Sequence, residues 1–133
     1  MGRKGNAMIK TADFLDLLQI FYGVTSDYGV ARRLSWSDAT VANYRHNRAF
    51  FSAQRIAQVS GALHIEPEFV GACMHEVKAA RAGDLATARI WRDARIRLGR
   101  RKENTLPGKR RAAKPRAARP ARATLAKNQQ AAA

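Results

Sequence analysis

The stretch SDYGVARRLSWSDATVANYRHNR, residues 26–48, decides the fold. Its first half places Tyr28, Ala31 and Leu34 at three-residue intervals, which predicts a helix on which these side chains share one face. Ser26 is a favourable N-cap for that helix, because its hydroxyl can accept a hydrogen bond from a free backbone N–H. We therefore predict a short helix that begins directly after Ser26.

A tight break at residues 35–37 separates this helix from a second one. Ser37 is again a good N-cap, and Val41 and Tyr44 lie three positions apart, so we predict a helix over 38–47 in which these two side chains face inward. The opposite, outward face carries four small or polar residues: Asp38, Ala39, Ala42 and Asn43.

This arrangement resembles the phage repressor and Cro-like (XRE-type) helix-turn-helix superfamily. Ala31 matches the small residue where the two helices cross, and Val41 and Tyr44 match the buried positions of the second helix. Ser35 stands where the family usually has Gly with positive φ, a conformation that strains a residue with a side chain. The resemblance implies an all-α, compact five-helix lambda-repressor-like domain that binds double-stranded DNA as a homodimer, since two copies must span half-sites about one helical turn apart.

The resemblance also implies which residues contact DNA. Contacts to base edges would come from the outward face of the second helix: Asp38, Ala39, Ala42 and Asn43. Contacts to the DNA backbone would come from its two ends: Ser37, Arg45, His46, Asn47 and Arg48. Asn43 can pair with adenine and Ala39 can contact a thymine methyl group, whereas Asp38 accepts only from cytosine N4. The alternative for Asp38 is to favour its own helix start, and for Asn43 to be an exposed amide without a partner.

Two positions depart from the family pattern. Relatives commonly have an acidic residue where Arg45 stands, so the family's structural ion pair must be absent or rearranged here. Many relatives use a neutral amide to hold a phosphate where this chain has Asp27, so the resemblance does not support that contact.

The flanking sequence predicts three further helices in the same domain, which we place at residues 11–82. The first would be capped by Thr11, stop at Gly23 and repeat apolar side chains on one face: Phe14, Leu17, Leu18 and Phe21. After a loop at 49–51 that packs on the core, Ser52 would cap a helix that ends at Gly61. The segment 66–68, with a proline between two glutamates, opens the next helix, whose inner face would be Phe69, Val70, Cys73, Met74 and Val77.

Residues 84–98 form an amphipathic, Arg-rich pattern. A narrow apolar stripe predicts one buried face: Leu85, Ala88, Trp91, Ala94 and Leu98. Basic residues are expected on the opposite face: Arg89, Arg92, Arg95 and Arg97. Two outcomes remain open for this helix, which can pack on the domain or pair with a second copy.

The charge of the chain points to a polyanionic partner. Its 133 residues include 25 Lys or Arg against 10 Asp or Glu, a net charge of +15. Nucleic acid and an anionic membrane surface both fit such a charge. We favour nucleic acid and expect no membrane association, because no apolar run approaches the roughly 20 residues that span a bilayer. The single Cys73 and the absence of a signal-peptide pattern predict a cytoplasmic protein. The resemblance implies that this is a bacterial host cytoplasm, where the protein would associate with the nucleoid.

Both ends of the chain are basic and unpatterned. Residues 1–10 are expected to be a flexible arm that contacts phosphate or a minor groove, or simply a frayed terminus. Residues 99–133 hold eleven Lys or Arg and one Glu, a net charge of +10, in an Ala- and Pro-rich composition that predicts a disordered tail. This tail would bind DNA without sequence preference or only solubilise the chain, and its main candidate contacts are Arg110, Arg111, Lys114, Arg116, Arg119 and Arg122.

Nothing in the sequence supports catalysis, a cofactor or a metal. Cys73 and His75 would lie on different faces of a helix, and no second Cys or carboxylate cluster completes a zinc site. Asp13 and Asp16 are expected on a solvated face. We therefore predict that the protein is not an enzyme.

Residues 11 to about 91 also resemble a group of small proteins encoded by bacteriophages and prophages. This resemblance implies a sequence-specific DNA-binding transcription regulator, a repressor of phage or prophage origin. One alternative is a nucleoid-like structural protein that coats or condenses nucleic acid, in which the tail supplies the affinity. Another is an adaptor that binds a protein such as polymerase or a toxin.

Overall fold

The computed structural model describes residues 7–107, and over this range the chain is helical without any strand. The helices are α1 (Thr11–Tyr22), α2 (Asp27–Leu34), α3 (Asp38–Arg45), α4 (Ala53–Leu63), α5 (Pro67–Arg81) and α6 (Leu85–Gly99), followed by a 3-10 turn (Lys102–Asn104). The all-α fold class is thereby confirmed. The arm at residues 1–6 and the tail residues 108–133, including Arg110, Arg111, Lys114, Arg116, Arg119 and Arg122, lie outside the described residues.

The start of α1 differs from the prediction. The N-cap is Lys10, whose backbone N–H donates to Asp13 Oδ2 at 2.8 Å, and not Thr11. Thr11 is buried, and its hydroxyl donates to the carbonyl oxygen of Tyr44 at 2.7 Å. The Tyr44 carbonyl also accepts from the Asn47 backbone N–H at 3.1 Å, so the Thr11 hydroxyl is a further donor to it and attaches α1 to α3.

The buried face of α1 is rotated from the predicted one. Phe14, Leu15 and Leu18 are fully buried, whereas Phe21 is 42% exposed. Leu15 and Leu18 both neighbour Phe14 around the helix, while Phe21 lies in the last turn, where its ring contacts those of Tyr22 and His64. The repeat of apolar side chains identified the helix correctly, but it did not show which of them the core would bury.

Both predicted serine caps of α2 and α3 are confirmed. Ser26 Oγ accepts from Gly29 N–H, and Ser37 Oγ accepts from Thr40 N–H, each at 3.1 Å. Ser35 ends α2 in the left-handed region, at φ 60°. The Trp36 N–H then donates back to the Ala31 carbonyl at 2.9 Å, which closes the turn tightly.

The inner face of α2 is only partly as predicted. Val30 and Ala31 are buried, but Tyr28 is 61% exposed. Successive residues of an α-helix are separated by about 100°, so Tyr28 lies about 200° around the helix from Val30 and faces away from the core. In α3, Val41 and Tyr44 are buried as predicted.

Four aromatic side chains form the centre of the core beneath α3. Tyr44 and Phe51 pack edge to face with ring centroids 4.7 Å apart, and Trp36 and Phe14 pack around them. Phe51 is 4% exposed, so the loop after α3 packs on the core as predicted. Edge-to-face rings add specific geometry to this apolar burial.

Helix α4 runs two residues beyond the predicted end at Gly61. The Ser52 cap is confirmed, since its Oγ accepts from Arg55 N–H at 3.2 Å. Leu63 is buried, and His64 ends the helix in the left-handed region at φ 58°. Burial of the Leu63 side chain stabilises another half-turn of helix by more than the low helix propensity of Gly61 destabilises it.

Helices α5 and α6 form an antiparallel hairpin in which Glu76 pairs with Arg95 and His75 stacks on Trp91. Helix α6 therefore packs on the domain, and Leu98 joins the core. Two predictions for α6 are wrong: Arg95 is buried rather than on the outer face, and Leu85 is 72% exposed. Glu76 gives Arg95 a buried ionic partner, which the apolar stripe did not reveal.

The ordered chain continues past residue 98, where we expected the tail to begin. Asn104 is 2% exposed, and its Oδ1 accepts from Glu66 N–H at 2.7 Å. Its amide donates to the Leu98 carbonyl and to Glu66 Oε1, both at 2.9 Å. The two bonds to Glu66 attach the segment after α6 to the start of α5, and the bond to Leu98 attaches it to the end of α6.

Candidate nucleic-acid interface

Helix α3, which we call the reader helix, has an outward face that is open to solvent. Its four candidate base-contact residues are all exposed: Asp38, Ala39, Ala42 and Asn43. Within residues 7–107 the side chains of Asp38 and Asn43 form no hydrogen bond or ion pair. Exposed polar side chains without internal partners can exchange their water for groups of a ligand.

Ser37 lies at the start of the reader helix and already makes two bonds. Its Oγ accepts from Thr40 N–H, and its hydroxyl donates to Thr40 Oγ1 at 2.9 Å. Ser37 is exposed, so the N-terminus of α3 remains accessible to a phosphate through its other backbone N–H groups. The Ser37 side chain therefore serves as the N-cap of α3, with both of its hydrogen bonds made to Thr40.

Arg45, predicted to contact the DNA backbone, is held by two carboxylates. Its guanidinium lies 2.9 Å from Asp16 Oδ1 and 2.8 Å from Asp27 Oδ1, and its Nε donates to Asp27 Oδ2 at 2.9 Å. The cluster of Asp16, Asp27 and Arg45, which we call the Arg45 clamp, joins α1, α2 and α3. Asp16 is thus not simply on a solvated face, because it pairs with the reader helix.

The electrostatics of the Arg45 clamp favour its charged form. The hydrogen bond from Arg45 is the main cause that lowers the pKa of Asp27, and Gln19 Nε2 also donates to this carboxylate at 2.8 Å. The hydrogen bond to Asp27 likewise raises the pKa of Arg45. Asp27 therefore accepts hydrogen bonds from within the domain, and its negative charge would repel a DNA phosphate at the start of α2.

Asn47, another candidate backbone contact, is turned toward α1. It adopts a left-handed conformation at φ 56°, which ends the reader helix at Arg45 rather than at the predicted residue 47. Its Oδ1 accepts from the backbone N–H of Ala12 at 3.2 Å and lies 3.2 Å from the hydroxyl oxygen of Thr11. Asn47 thus satisfies a free N–H of α1 in the way that a helix cap does.

His46 and Arg48 remain available at the end of the reader helix. Both are exposed, and within residues 7–107 neither side chain has a hydrogen-bond or ionic partner. The Arg48 backbone N–H donates to the Asn43 carbonyl at 2.8 Å, which fixes the position from which its side chain extends. Of the five predicted backbone contacts, these two are the side chains not already engaged within the domain.

A contact that the sequence did not reveal supports the turn between α2 and α3. Trp36 Nε1–H donates to Gln58 Oε1 at 2.9 Å, and Gln58 Nε2 donates to the Leu34 carbonyl at 3.4 Å. The Arg55 guanidinium lies over the Trp36 ring, 5.0 Å from its centroid. Nothing in the local pattern of α4 distinguishes Gln58 from an ordinary exposed amide, so only the packing identifies it.

The described residues contain no arrangement typical of metal or thiol chemistry. Burial raises the pKa of Cys73 to about 12, so its thiol stays protonated at neutral pH. His75 is exposed and stacks on Trp91 with ring centroids 4.4 Å apart. Between residues 7 and 107 no three His, Cys, Asp or Glu side chains are grouped to hold a metal ion. None of the helices in this range is long and apolar enough to cross a membrane.

The geometry thus consists of one exposed helix face fixed from behind. Thr11 and the Arg45 clamp hold α3 from the side of α1, and Gln58 holds its turn from the side of α4. No protein-family model, curated protein or solved structure matches this chain.

Proposed function

We propose that the protein is a sequence-specific, non-enzymatic DNA-binding transcription regulator, a repressor of phage or prophage origin. Helices α1–α5 would form a lambda-repressor-like helix-turn-helix domain, with α3 in the major groove. The observation that carries the proposal is the exposed face of α3, whose polar side chains have no partner within residues 7–107, on a helix fixed by three neighbours. A helix that reads base edges needs a free outer face and a fixed orientation.

The base-reading residues in this proposal are Asp38, Ala39, Ala42 and Asn43. Asn43 would pair with adenine, since its amide offers both a donor and an acceptor. His46 and Arg48 would contact phosphates beside the reader helix, and Ser37 would bring its helix N-terminus to the backbone. Arg45 and Asn47 would act indirectly, by holding α3 against α1.

Selection of bound DNA sequences in vitro tests the proposal. Full-length protein and a variant truncated after Pro107 should select the same motif, because the truncation keeps Asn104 and removes eight Lys or Arg residues from the tail. Without those charges the slope of log affinity against log salt should become shallower by as much as about 7. Uniform coating of all DNA at every salt concentration, with no selected motif, would contradict sequence-specific binding.

The variant Asn43→Ala tests the reader face itself. We expect its selected motif to lose the preference at one base pair, with a cost of about 1–3 kcal/mol on the original site. The matched control is Gln54→Ala, which removes another exposed amide, from the first turn of α4, and should leave the motif unchanged. A selected motif that is identical for Asn43→Ala and the unaltered chain would place this residue outside the readout.

A second candidate is a nucleoid-like protein that coats nucleic acid, which the net charge of +15 favours. Such a protein should lose most of its affinity when residues 108–133 are removed, and it should discriminate little between duplexes.

The homodimer expected of a regulator follows from the spacing of half-sites, and a selected palindrome with sedimentation as a dimer on DNA would support it.

A further inference from the structure

Two cations near the end of α5 share one aromatic ring beside the reader helix. The Lys78 Nζ lies 5.5 Å from the centroid of the Phe50 ring, and the Arg81 Cζ lies 4.9 Å from the same centroid. Both side chains are exposed, and neither forms an ion pair within residues 7–107. The charged groups themselves lie near the ring face, which attracts cations, while both side chains remain exposed to solvent.

The position of Phe50 connects these cations to the candidate DNA interface. Phe50 lies in the loop after α3, and its neighbour Phe51 packs on Tyr44 of the reader helix at 4.7 Å. Arg48, an exposed cation without an internal partner, precedes Phe50 by two residues. Phe50, on which Lys78 and Arg81 pack, and Arg48 therefore belong to the same loop after α3, and we call Arg48, Lys78 and Arg81 the cationic edge.

No carboxylate neutralises this edge among the described residues. The acidic residues nearest along the chain are engaged elsewhere: Glu76 is buried with Arg95, and Asp84 caps α6 by accepting from Thr87 N–H at 3.1 Å. A surface that kept Lys78 and Arg81 only for solubility would have no need to fix both on one ring. Cations in the last turn of α5 also interact favourably with the helix dipole, which accounts for stability but not for their shared position on Phe50.

We propose that Lys78 and Arg81 contact DNA phosphates next to the base pairs read by α3, so that the end of α5 extends the backbone contact beyond the helix-turn-helix. The inference rests on the proposed function, since it requires α3 to lie in the major groove. Arg81 would present its planar guanidinium to two phosphate oxygens, and Lys78 would act as a point charge. These contacts add affinity and fix the orientation of the domain without reading sequence.

The test measures affinity across a salt series for Lys78→Gln, Arg81→Gln and the double variant, on a selected duplex and an unrelated one. Each single change should make the slope of log affinity against log salt shallower by about 0.9, and the double change by about 1.8. The loss of affinity should be the same on both duplexes. Arg97→Gln is the matched control, because it removes an equal charge from an exposed position near the other end of the α5–α6 hairpin, and it should leave the slope unchanged.

Further variants separate charge from packing. Lys78→Arg and Arg81→Lys keep the charge and should retain the slope of the unaltered chain. If the unaltered chain binds no double-stranded DNA, the proposed function fails. If it binds and Lys78→Gln and Arg81→Gln retain its slope, or if Arg97→Gln lowers the slope equally, the inference about α5 fails alone.

Discussion

Helices α1–α3 and the α5–α6 hairpin are both held by ionic contacts, but in very different surroundings. In the Arg45 clamp the side chains of Arg45, Asp16 and Asp27 are 31%, 58% and 29% exposed. In the hairpin, the side chains of Arg95 and Glu76 are 3% and 5% exposed. Water screens the Arg45 clamp, so the clamp contributes little to the free energy of unfolding, and its contribution depends on salt. Removal of either partner of the Glu76–Arg95 pair instead leaves the other charge in an interior that excludes water.

The largest effect is expected when the buried pair of the hairpin is broken. Glu76→Gln keeps the shape of the side chain but removes the carboxylate charge that pairs with the buried Arg95, so we expect a loss of about 3–5 kcal/mol in the free energy of unfolding. Denaturation in urea, followed by far-UV circular dichroism, measures this change.

Two controls separate burial from charge in this experiment. The double variant Glu76→Leu with Arg95→Met removes both charges and should recover most of the lost stability. Arg92→Ala removes one partner of the exposed Arg92–Asp93 pair, whose charged atoms are 3.8 Å apart, and should change stability by less than about 0.5 kcal/mol. Equal losses for Glu76→Gln and Arg92→Ala would show that burial does not make an ionic pair of the hairpin more sensitive to loss of one partner.

A smaller loss is expected at the end of the hairpin, from Asn104→Ala. This change leaves the Glu66 N–H and the Leu98 carbonyl without the partners that Asn104 now provides, at a cost of about 1–3 kcal/mol. Thr105→Ala is the control, because it removes an exposed bond to the Lys102 carbonyl and should cost less. If Asn104→Ala has no effect on thermal unfolding, the segment after α6 does not contribute to the domain.

The Arg45 clamp should contribute less than either contact of the hairpin. Asp27→Asn keeps a hydrogen-bond acceptor but removes the charge, and we expect a loss of about 0.5–1 kcal/mol at neutral pH because the cluster is partly exposed. The loss should diminish in high salt, which screens exposed pairs. A loss that is independent of salt would mean that the cluster behaves like the buried pair.

The pH dependence of this loss has a definite sign. Because the pKa of Asp27 is lower in the folded chain than in the unfolded chain, its contribution is complete above the unfolded value of about 4 and disappears as the pH falls through the folded value. The difference in stability between the unaltered chain and Asp27→Asn should therefore shrink below about pH 4. A difference that grows on acidification would contradict the lowered pKa.

The smallest effect should be a gain, from Ser35→Gly in the turn between α2 and α3. Ser35 has φ 60°, which glycine adopts without strain, but glycine also makes the unfolded chain more flexible. We expect a net gain of up to about 1 kcal/mol in thermal unfolding. Gly83→Ala, at φ 79°, is the reverse test and should destabilise the chain. If Ser35→Gly loses stability, the Ser35 side chain supports the turn.

Local sequence signals predicted the helices and the inward and outward faces of α3. Ser26, Ser37 and Ser52 each cap the helix that they were expected to cap, because a cap depends only on a hydroxyl and a free N–H three residues away. The inward positions Val41 and Tyr44 and the outward face of α3 also follow from helical periodicity. These features depend on a few consecutive residues, which is why the sequence alone could predict them.

Only the tertiary structure decided which side chains the neighbouring elements engage. Arg45 pairs with Asp16 and Asp27, and Asn47 binds the start of α1, across separations of 18 to 36 residues along the chain. Periodicity identifies the face of a helix but not the element that covers it, so it could not show that Arg95 would meet Glu76 in the interior. The candidate base contacts were therefore placed by local pattern, whereas the residues that hold them in position were fixed by the packing of distant segments.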